Sequence, residues 1–178
     1  MFKKVLAILG IFAGLLVGFS YADTLYFMPQ EQDKAFKTLI STISNTQKTL
    51  DVAIYSFTNR EISKAIRDIA KKGVKVRIVY DKKSNQNANK STIGYLAKLK
   101  NIETCLLEGE LSENRKFRGL MHMKMAISDE NALVLGSANW SKSAFETNYE
   151  TFLITQDKDS IFKAKRAFEK MFQKCEKY

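Results

Sequence analysis

The sequence predicts an α/β domain built around a largely buried sheet. Strand-like and helix-like segments alternate from about residue 24 to the C-terminus, the pattern of a sheet covered by helices. Two of the strand segments, Leu50 to Phe57 and Val74 to Tyr80, are dominated by apolar and β-branched residues, as expected where both strand faces are covered. No repeat, low-complexity tract or Pro/Gly linker interrupts residues 23–178, whose single proline is Pro29. A chain of 178 residues fits one domain with an adequate core.

The first 22 residues stand apart. Lys3 and Lys4 form a basic start, Val5 to Phe19 is apolar, and Ser20-Tyr21-Ala22 puts small residues where a signal peptidase reads. A cleaved signal peptide is expected, with a mature start at Asp23. The apolar run is shorter than the ~20 residues that span a bilayer. Gly10, Gly14 and Gly18 nevertheless repeat at the spacing of a membrane-helix packing face, so a retained N-terminal anchor is the alternative. Either places the domain of residues 23–178 outside the cytoplasm, periplasmic or membrane-associated.

Thr24 to Met28 reads as a short strand, followed by a helix from about Glu31 to Gln47. After the strand Leu50 to Phe57, Thr58 and Glu61 form a capping box. The next helix carries Ile62, Ala65, Ile66 and Ile69 on one stripe and ends at Gly73. Val74 to Tyr80 is a strand, and a polar loop through Lys82, Lys83, Asn85 and Asn87 leads to a helix from about Lys90 to Lys98. A strand from Ile102 to Leu107 and a charged stretch from Glu108 to Arg118 precede two neighbouring strands, Leu120 to Ile127 and Ala132 to Leu135. A short helix near Ser141 to Phe145, a strand from Tyr149 to Thr155 and an amphipathic helix from Asp159 to about Lys174 complete the chain.

Without residues 1–22 the chain loses two lysines and no acid, leaving 27 Lys+Arg against 19 Asp+Glu, a net +8. That excess favours a polyanionic partner, nucleic acid or anionic lipid headgroups. Cys105 and Cys175 are the only cysteines. Their compartment permits one disulfide, while two small buried hydrophobes is the equal alternative. Neither belongs to a Cys/His cluster, so no structural zinc site is readable.

The chemistry concentrates in His122-Met123-Lys124-Met125-Ala126-Ile127-Ser128-Asp129, followed by Gly136-Ser137-Ala138-Asn139-Trp140. Strand alternation gives His122 and Lys124 one face, with Leu120 and Ala126, and leaves Met121, Met123, Met125 and Ile127 on the other. Ser137 and Asn139 repeat the spacing at the end of the next strand. An imidazole, an ammonium, a hydroxyl and an amide are thus presented together, and each can bind or attack a phosphate. A lone histidine in an apolar strand is more often a core residue. Lys124 argues against that here, because a buried lysine is costly without an anion to bind.

This H-x-K-x4-D element followed by G-S-x-N resembles the signature of the phospholipase D superfamily, whose members cut phosphodiester bonds through a histidine nucleophile. Chance would produce the combined pattern in on the order of one chain in a million. The stretches Asp51 to Thr58 and Gly73 to Asp81 also resemble the small endonuclease branch of that superfamily. The implied fold is a phospholipase D-like α-β-α sandwich with a mixed central sheet. The family uses two such elements per active site, and this chain has one element and one histidine, so the resemblance implies a homodimer.

On that resemblance His122 is the nucleophile, Lys124 neutralises the non-bridging oxygens, and Ser137 and Asn139 hold the phosphate. Asp129 completes the pattern as a residue that supports the site, a turn role fitting it equally well. Glu150 falls where relatives place an acid that hydrogen-bonds the nucleophilic histidine. Lys82, Lys83, Arg115, Lys116 and Arg118 are the expected nucleic-acid rim. Phe117 and Trp140 are the aromatics available to stack on a base, although the parity of Trp140 points to the core. No cofactor is implied, and no acidic cluster accompanies His122 to hold magnesium.

The leading expectation is an exported, metal-independent endonuclease acting on DNA or RNA. A phospholipase or cardiolipin-type hydrolase is the first alternative, distinguished by an apolar rim or an interfacial segment. The DNA-capture component of an uptake system is the second.

Overall fold

The computed structural model describes residues 23–178. The expected signal or anchor segment, 1–22, lies outside the described residues. The elements are β1 (Thr24–Met28), α1 (Gln32–Ser44), β2 (Thr49–Ile54), α2 (Arg60–Lys71), β3 (Lys75–Asp81), α3 (Lys82–Asn85), α4 (Ile93–Leu96) and β4 (Ile102–Leu111). There follow β5 (Arg118–Leu120), β6 (Lys124–Ser128), β7 (Ala132–Gly136), α5 (Lys142–Glu146), β8 (Glu150–Thr155), α6 (Lys158–Lys174) and β9 (Glu176–Lys177). The strands form one sheet in the order β1-β8-β7-β6-β2-β3-β4-β5, with β9 beside β4. Strands β2, β3 and β4 run parallel, while β2–β6, β6–β7, β7–β8 and β1–β8 are antiparallel. The sheet is mixed and helices cover both faces, the sandwich expected from the sequence.

Strand alternation divides the core in two. Val52, Ile54, Ile78, Tyr80, Ala126 and Val134 pack under α1, α2, α4 and α5. Their neighbours Ala53, Val79, Met125, Ile127 and Leu133 pack with Ile161 and Phe168 of α6. A one-residue slip of any central strand would exchange these sets, so two apolar faces fix the register. Each fully buried Ile or Leu contributes about 2 kcal/mol.

Asp51 breaks the apolar run of β2 and is only 2% exposed. It is satisfied by two bonds from Arg77, at 2.7 and 2.8 Å, and one from Lys165 Nζ at 2.8 Å. The Arg77 guanidinium also lies over the Phe168 and Phe172 rings. The charge that the sequence placed inside a strand is therefore paired and bonded, the condition under which a buried charge is tolerated.

Several local expectations are corrected. The cap of α2 is Asn59, whose Oδ1 accepts from the N–H groups of Glu61 and Ile62; Thr58 and Glu61 form no capping box. The polar segment after β3 turns helical at once as α3, because the Asp81 side chain accepts from Ser84 N. The later helix shrinks to Ile93–Leu96. The charged stretch is a hairpin, since β4 runs to Leu111 and returns as β5. Consequently Leu120 to Ile127 is not one strand: the chain leaves β5 at Leu120 and re-enters the sheet at Lys124. Cys105 and Cys175 are joined by a disulfide, with Cα atoms 5.6 Å apart, which ties the end of α6 to β4 beside the β9 pairing.

Candidate active site

Ile54 of β2 pairs with Lys124 of β6, so the carboxyl ends of the parallel strands and the start of β6 share one edge of the sheet. Open α/β sheets bind ligands at that edge. His122 precedes β6 in extended chain, and the carbonyl of Met123 accepts from Tyr55 N at 2.8 Å. Asp81 sets this geometry. It is 1% exposed, caps α3 with one oxygen and accepts from Met121 N at 3.0 Å with the other. Met121 is thereby turned into the core and His122 is left exposed.

Lys124 is 6% exposed. Its ammonium lies 3.0 Å from Nδ1 and 3.2 Å from Nε2 of His122 and donates to the His122 carbonyl at 2.9 Å. A neutral imidazole has one acceptor nitrogen, so at most one ring contact is a conventional hydrogen bond and the other is close electrostatic contact. Tyr55 completes the group: its ring centroid is 4.3 Å from that of His122 and 4.9 Å from the Lys124 ammonium. Burial holds the Lys124 ammonium below its ordinary pKa, partly offset by the Glu150 and Asp81 carboxylates.

Ser137 and Glu150 meet across the β7–β8 edge. The Ser137 hydroxyl donates a short hydrogen bond to the Glu150 carboxylate and accepts from Thr151 N at 3.0 Å. Asn148 donates to the other carboxylate oxygen at 3.4 Å. Asn139 Oδ1 is buried with no hydrogen-bond partner, a costly state that calls for a specific reason. Trp140 is core, packed edge-on against Phe57.

Asp129 is elsewhere. Seven residues of nearly extended chain put it about 20 Å from His122. It sits in the left-handed region at φ 51°, as does Glu130, in the turn between β6 and β7. Its carboxylate accepts from the N–H groups of Gln47, Lys48 and Thr49 at 2.7, 2.7 and 2.9 Å. Burial pushes its pKa up, but these three donors outweigh that and hold it below the usual carboxylate value.

The five rim residues follow the ends of β3 and β4. Lys82 is paired with Glu176 at 2.7 Å, and Arg118 turns back to Glu108 at 3.4 Å and to the Gly109 carbonyl. Lys83, Arg115 and Lys116 are exposed. The hairpin also exposes Leu111, Leu120 and Phe117, the last by 66%. The sequence reading missed Tyr55 and Asp81. The available signals were a tyrosine closing an apolar strand and a carboxylate ending the next one.

Among the described residues no group of three or more His, Cys, Asp or Glu side chains is placed to hold a metal ion. The arrangement offers an accessible imidazole against an ammonium, a hydroxyl–carboxylate pair and an amide, a set suited to displacement at phosphorus.

The comparisons agree with this chemistry. Residues 39–173 match the family model described as "Cardiolipin synthase, PLD-like domain". The mitochondrial cardiolipin hydrolase of Xenopus tropicalis is 28% identical over 141 residues, 79% of this chain. That match spans 62% of the relative's length. The structure of NucT from Helicobacter pylori superposes with a TM-score of 0.86 at 46% identity, covering 88% of this chain and 99% of NucT. Nuc from Salmonella typhimurium, described as a phospholipase D family member, shares the fold at a TM-score of 0.73 and 22% identity, covering 88% and 97% of the two chains. The H-x-K-x4-D and G-S-x-N elements therefore sit within a matched fold and a matched domain, and the chain belongs to the phospholipase D superfamily of phosphodiesterases.

Proposed function

We propose that this chain is an exported endonuclease that hydrolyses nucleic-acid phosphodiester bonds without a metal ion, through a phosphohistidine at His122. The observation that carries this reading is the Lys124 ammonium, buried and 3.0–3.2 Å from both ring nitrogens of an exposed imidazole. A nitrogen of neutral His122 attacks phosphorus as the P–O bond to the leaving oxygen breaks. Lys124 neutralises the non-bridging oxygens, and Ser137 and Asn139 hold them in line. Water then breaks the P–N bond and returns free imidazole. Glu150 orients the site through Ser137, and Asp129 supports it from a distance through the turn. The leaving oxygen needs a proton, and the sequence has one histidine, so the general acid is His122 of a second copy. The net charge of +8 outside residues 1–22 supports a polyanionic substrate, with Lys83, Arg115 and Lys116 free to meet it.

A cardiolipin-type phosphodiesterase is the second reading. The exposed Leu111, Phe117 and Leu120 beside Arg115 and Lys116 favour it, since apolar and basic groups together suit an anionic lipid surface. Among the described residues no helix is long and apolar enough to cross a membrane.

One assay tests both. The protein is incubated in excess EDTA with single-stranded DNA, duplex DNA, RNA and cardiolipin vesicles. Nucleic-acid cleavage that persists in EDTA and disappears in His122→Ala is expected. Cleavage restored only by magnesium, or confined to cardiolipin, would overturn the proposal.

A further inference from the structure

We infer that a cleft between α2 and the segment leading into α4 is a binding groove for an unpaired nucleic-acid strand, feeding the His122 site; the inference rests on the nuclease reading above. The cleft has a volume of about 510 Å³ and is lined by Arg60, Lys64, Arg67, Lys90 and Tyr95, among others. None of its lining residues is acidic. A neighbouring cleft of about 520 Å³ shares Thr58 and Arg60, but there Asp33, Glu61 and Glu146 outnumber Arg60 and Lys142. A polyanion arriving near Arg60 is therefore favoured by the wholly basic cleft over its mixed-charge neighbour.

The geometry of α2 suits a strand. Arg60, Lys64 and Arg67 fall at i, i+4 and i+7, one stripe of the helix, and span about 10 Å at 1.5 Å per residue. That length covers about three phosphates at the ~3.4 Å rise of a stacked strand. Asp68 pairs with Arg67 at 2.7 Å, both side chains being partly exposed; an exposed pair of this kind is weak and yields readily to a phosphate. Tyr95 is 43% exposed on the opposite wall and offers a ring on which an unpaired base stacks. A duplex keeps its bases stacked on each other and gains nothing from that ring.

The groove is joined to the site on both sides. Thr58, at its mouth, donates its N–H to the carbonyl of Trp140 at 2.9 Å, one residue beyond Asn139. Thr92, on its other wall, donates to the carbonyl of Phe57, two residues beyond Tyr55, whose ring lies tilted against His122. The groove walls are thus anchored on the segments that carry Tyr55 and Asn139, and the proposed path runs from the groove to the imidazole and on to the rim at Lys83 and Arg115.

The test measures binding of a fluorescent single-stranded oligodeoxynucleotide by anisotropy across a salt series. It uses the full chain carrying His122→Ala to stop turnover. Adding Arg60→Ala, Lys64→Ala and Lys90→Ala is expected to reduce the slope of log K against log salt by about 2, at ~0.7 per phosphate contact. Adding Tyr95→Ala instead should weaken single-strand binding roughly tenfold and leave duplex binding unchanged. A control removing three exposed lysines elsewhere, Lys34, Lys37 and Lys98, should leave the slope near its starting value. Circular dichroism confirms that each variant is folded. Equal slopes for groove and control variants, or groove variants that lose only cardiolipin-vesicle binding, would overturn the groove. A starting protein that binds no oligonucleotide would overturn the nuclease reading itself.

Discussion

Replacing Asp129 by alanine separates support of the fold from participation in the chemistry. The carboxylate accepts from three consecutive backbone N–H groups. Two of these bonds are exposed, and water recovers part of what they lose, leaving about 1 kcal/mol each; the part-buried bond from Thr49 contributes about 1.5 kcal/mol. Alanine at the left-handed φ of 51° adds about 1 kcal/mol of strain. The sum is about 4.5 kcal/mol, which for a domain of this size lowers Tm by roughly 10–15 °C. Asp129→Asn keeps one acceptor and tolerates the left-handed region, so it should lose about half as much. The pH dependence carries a sign. Because the folded pKa is depressed, the contribution is complete above the unfolded value near 4 and fades as pH falls through the folded value. The stability gap between wild type and Asp129→Ala should thus be constant from neutral pH to about pH 5 and shrink below about pH 4. Thermal unfolding across pH, with the phosphodiesterase rate measured well below Tm, reads both quantities. A rate per folded molecule within about twofold of wild type is expected. A rate lower by orders of magnitude with Tm unmoved would refute this account and return Asp129 to the active site.

Lys124→Met should raise Tm at pH 7 while lowering the rate at least ~100-fold. A lysine whose folded pKa is lowered destabilises at pH below both values, and that cost is relieved as pH rises through the folded value; a fall in Tm would contradict this. Reducing the disulfide should destabilise the fold by up to about 4 kcal/mol, from the 70-residue loop it closes, and release β9 from β4, read as amide exchange at Cys105 and Leu106. Unchanged exchange would show that β9 holds by itself. Mixing His122→Ala with wild type should give activity that falls as the square of the wild-type fraction, about one quarter at equal mixing, because each site needs two imidazoles. A linear fall, to about one half, would show that one chain suffices.

Most of the fold was legible because its determinants are local. Apolar, β-branched runs in Leu50 to Phe57 and Val74 to Tyr80 declare strands covered on two faces, and Ile62, Ile66 and Ile69 declare the buried stripe of α2. The same parity puts Ala126 in one core and Met125 and Ile127 in the other. What escaped were non-local satisfactions. The break before β6 depends on Asp81, 40 residues from the Met121 N–H that it binds. The buried Asp51 depends on Arg77 and on Lys165, 114 residues away. Tyr55 joins His122 only because β2 and β6 are neighbours. The opposite wall of the α2 cleft comes from the segment before α4, where the sequence pattern suggests a longer helix than the Ile93–Leu96 that forms.

The two ends of β6 treat polar groups in opposite ways, and that contrast locates function independently of any motif. At the far end, Asp129 is fully engaged by backbone donors and Ser128 by Thr46. In mid-sheet, the buried Asp51 has two cations. At the near end the ledger is left open: Lys124 is desolvated against its preference and bonds only to His122, with no carboxylate within ion-pair distance among the described residues, and the imidazole faces solvent. A fold that satisfies buried charges this thoroughly elsewhere had the means to do so here. Groups held unsatisfied at one edge, where three parallel strands end, are groups whose partner is not part of the chain. An anion that accepts from the ammonium and reaches the imidazole supplies what is missing, and a phosphodiester fits that description where a core of neutral side chains does not.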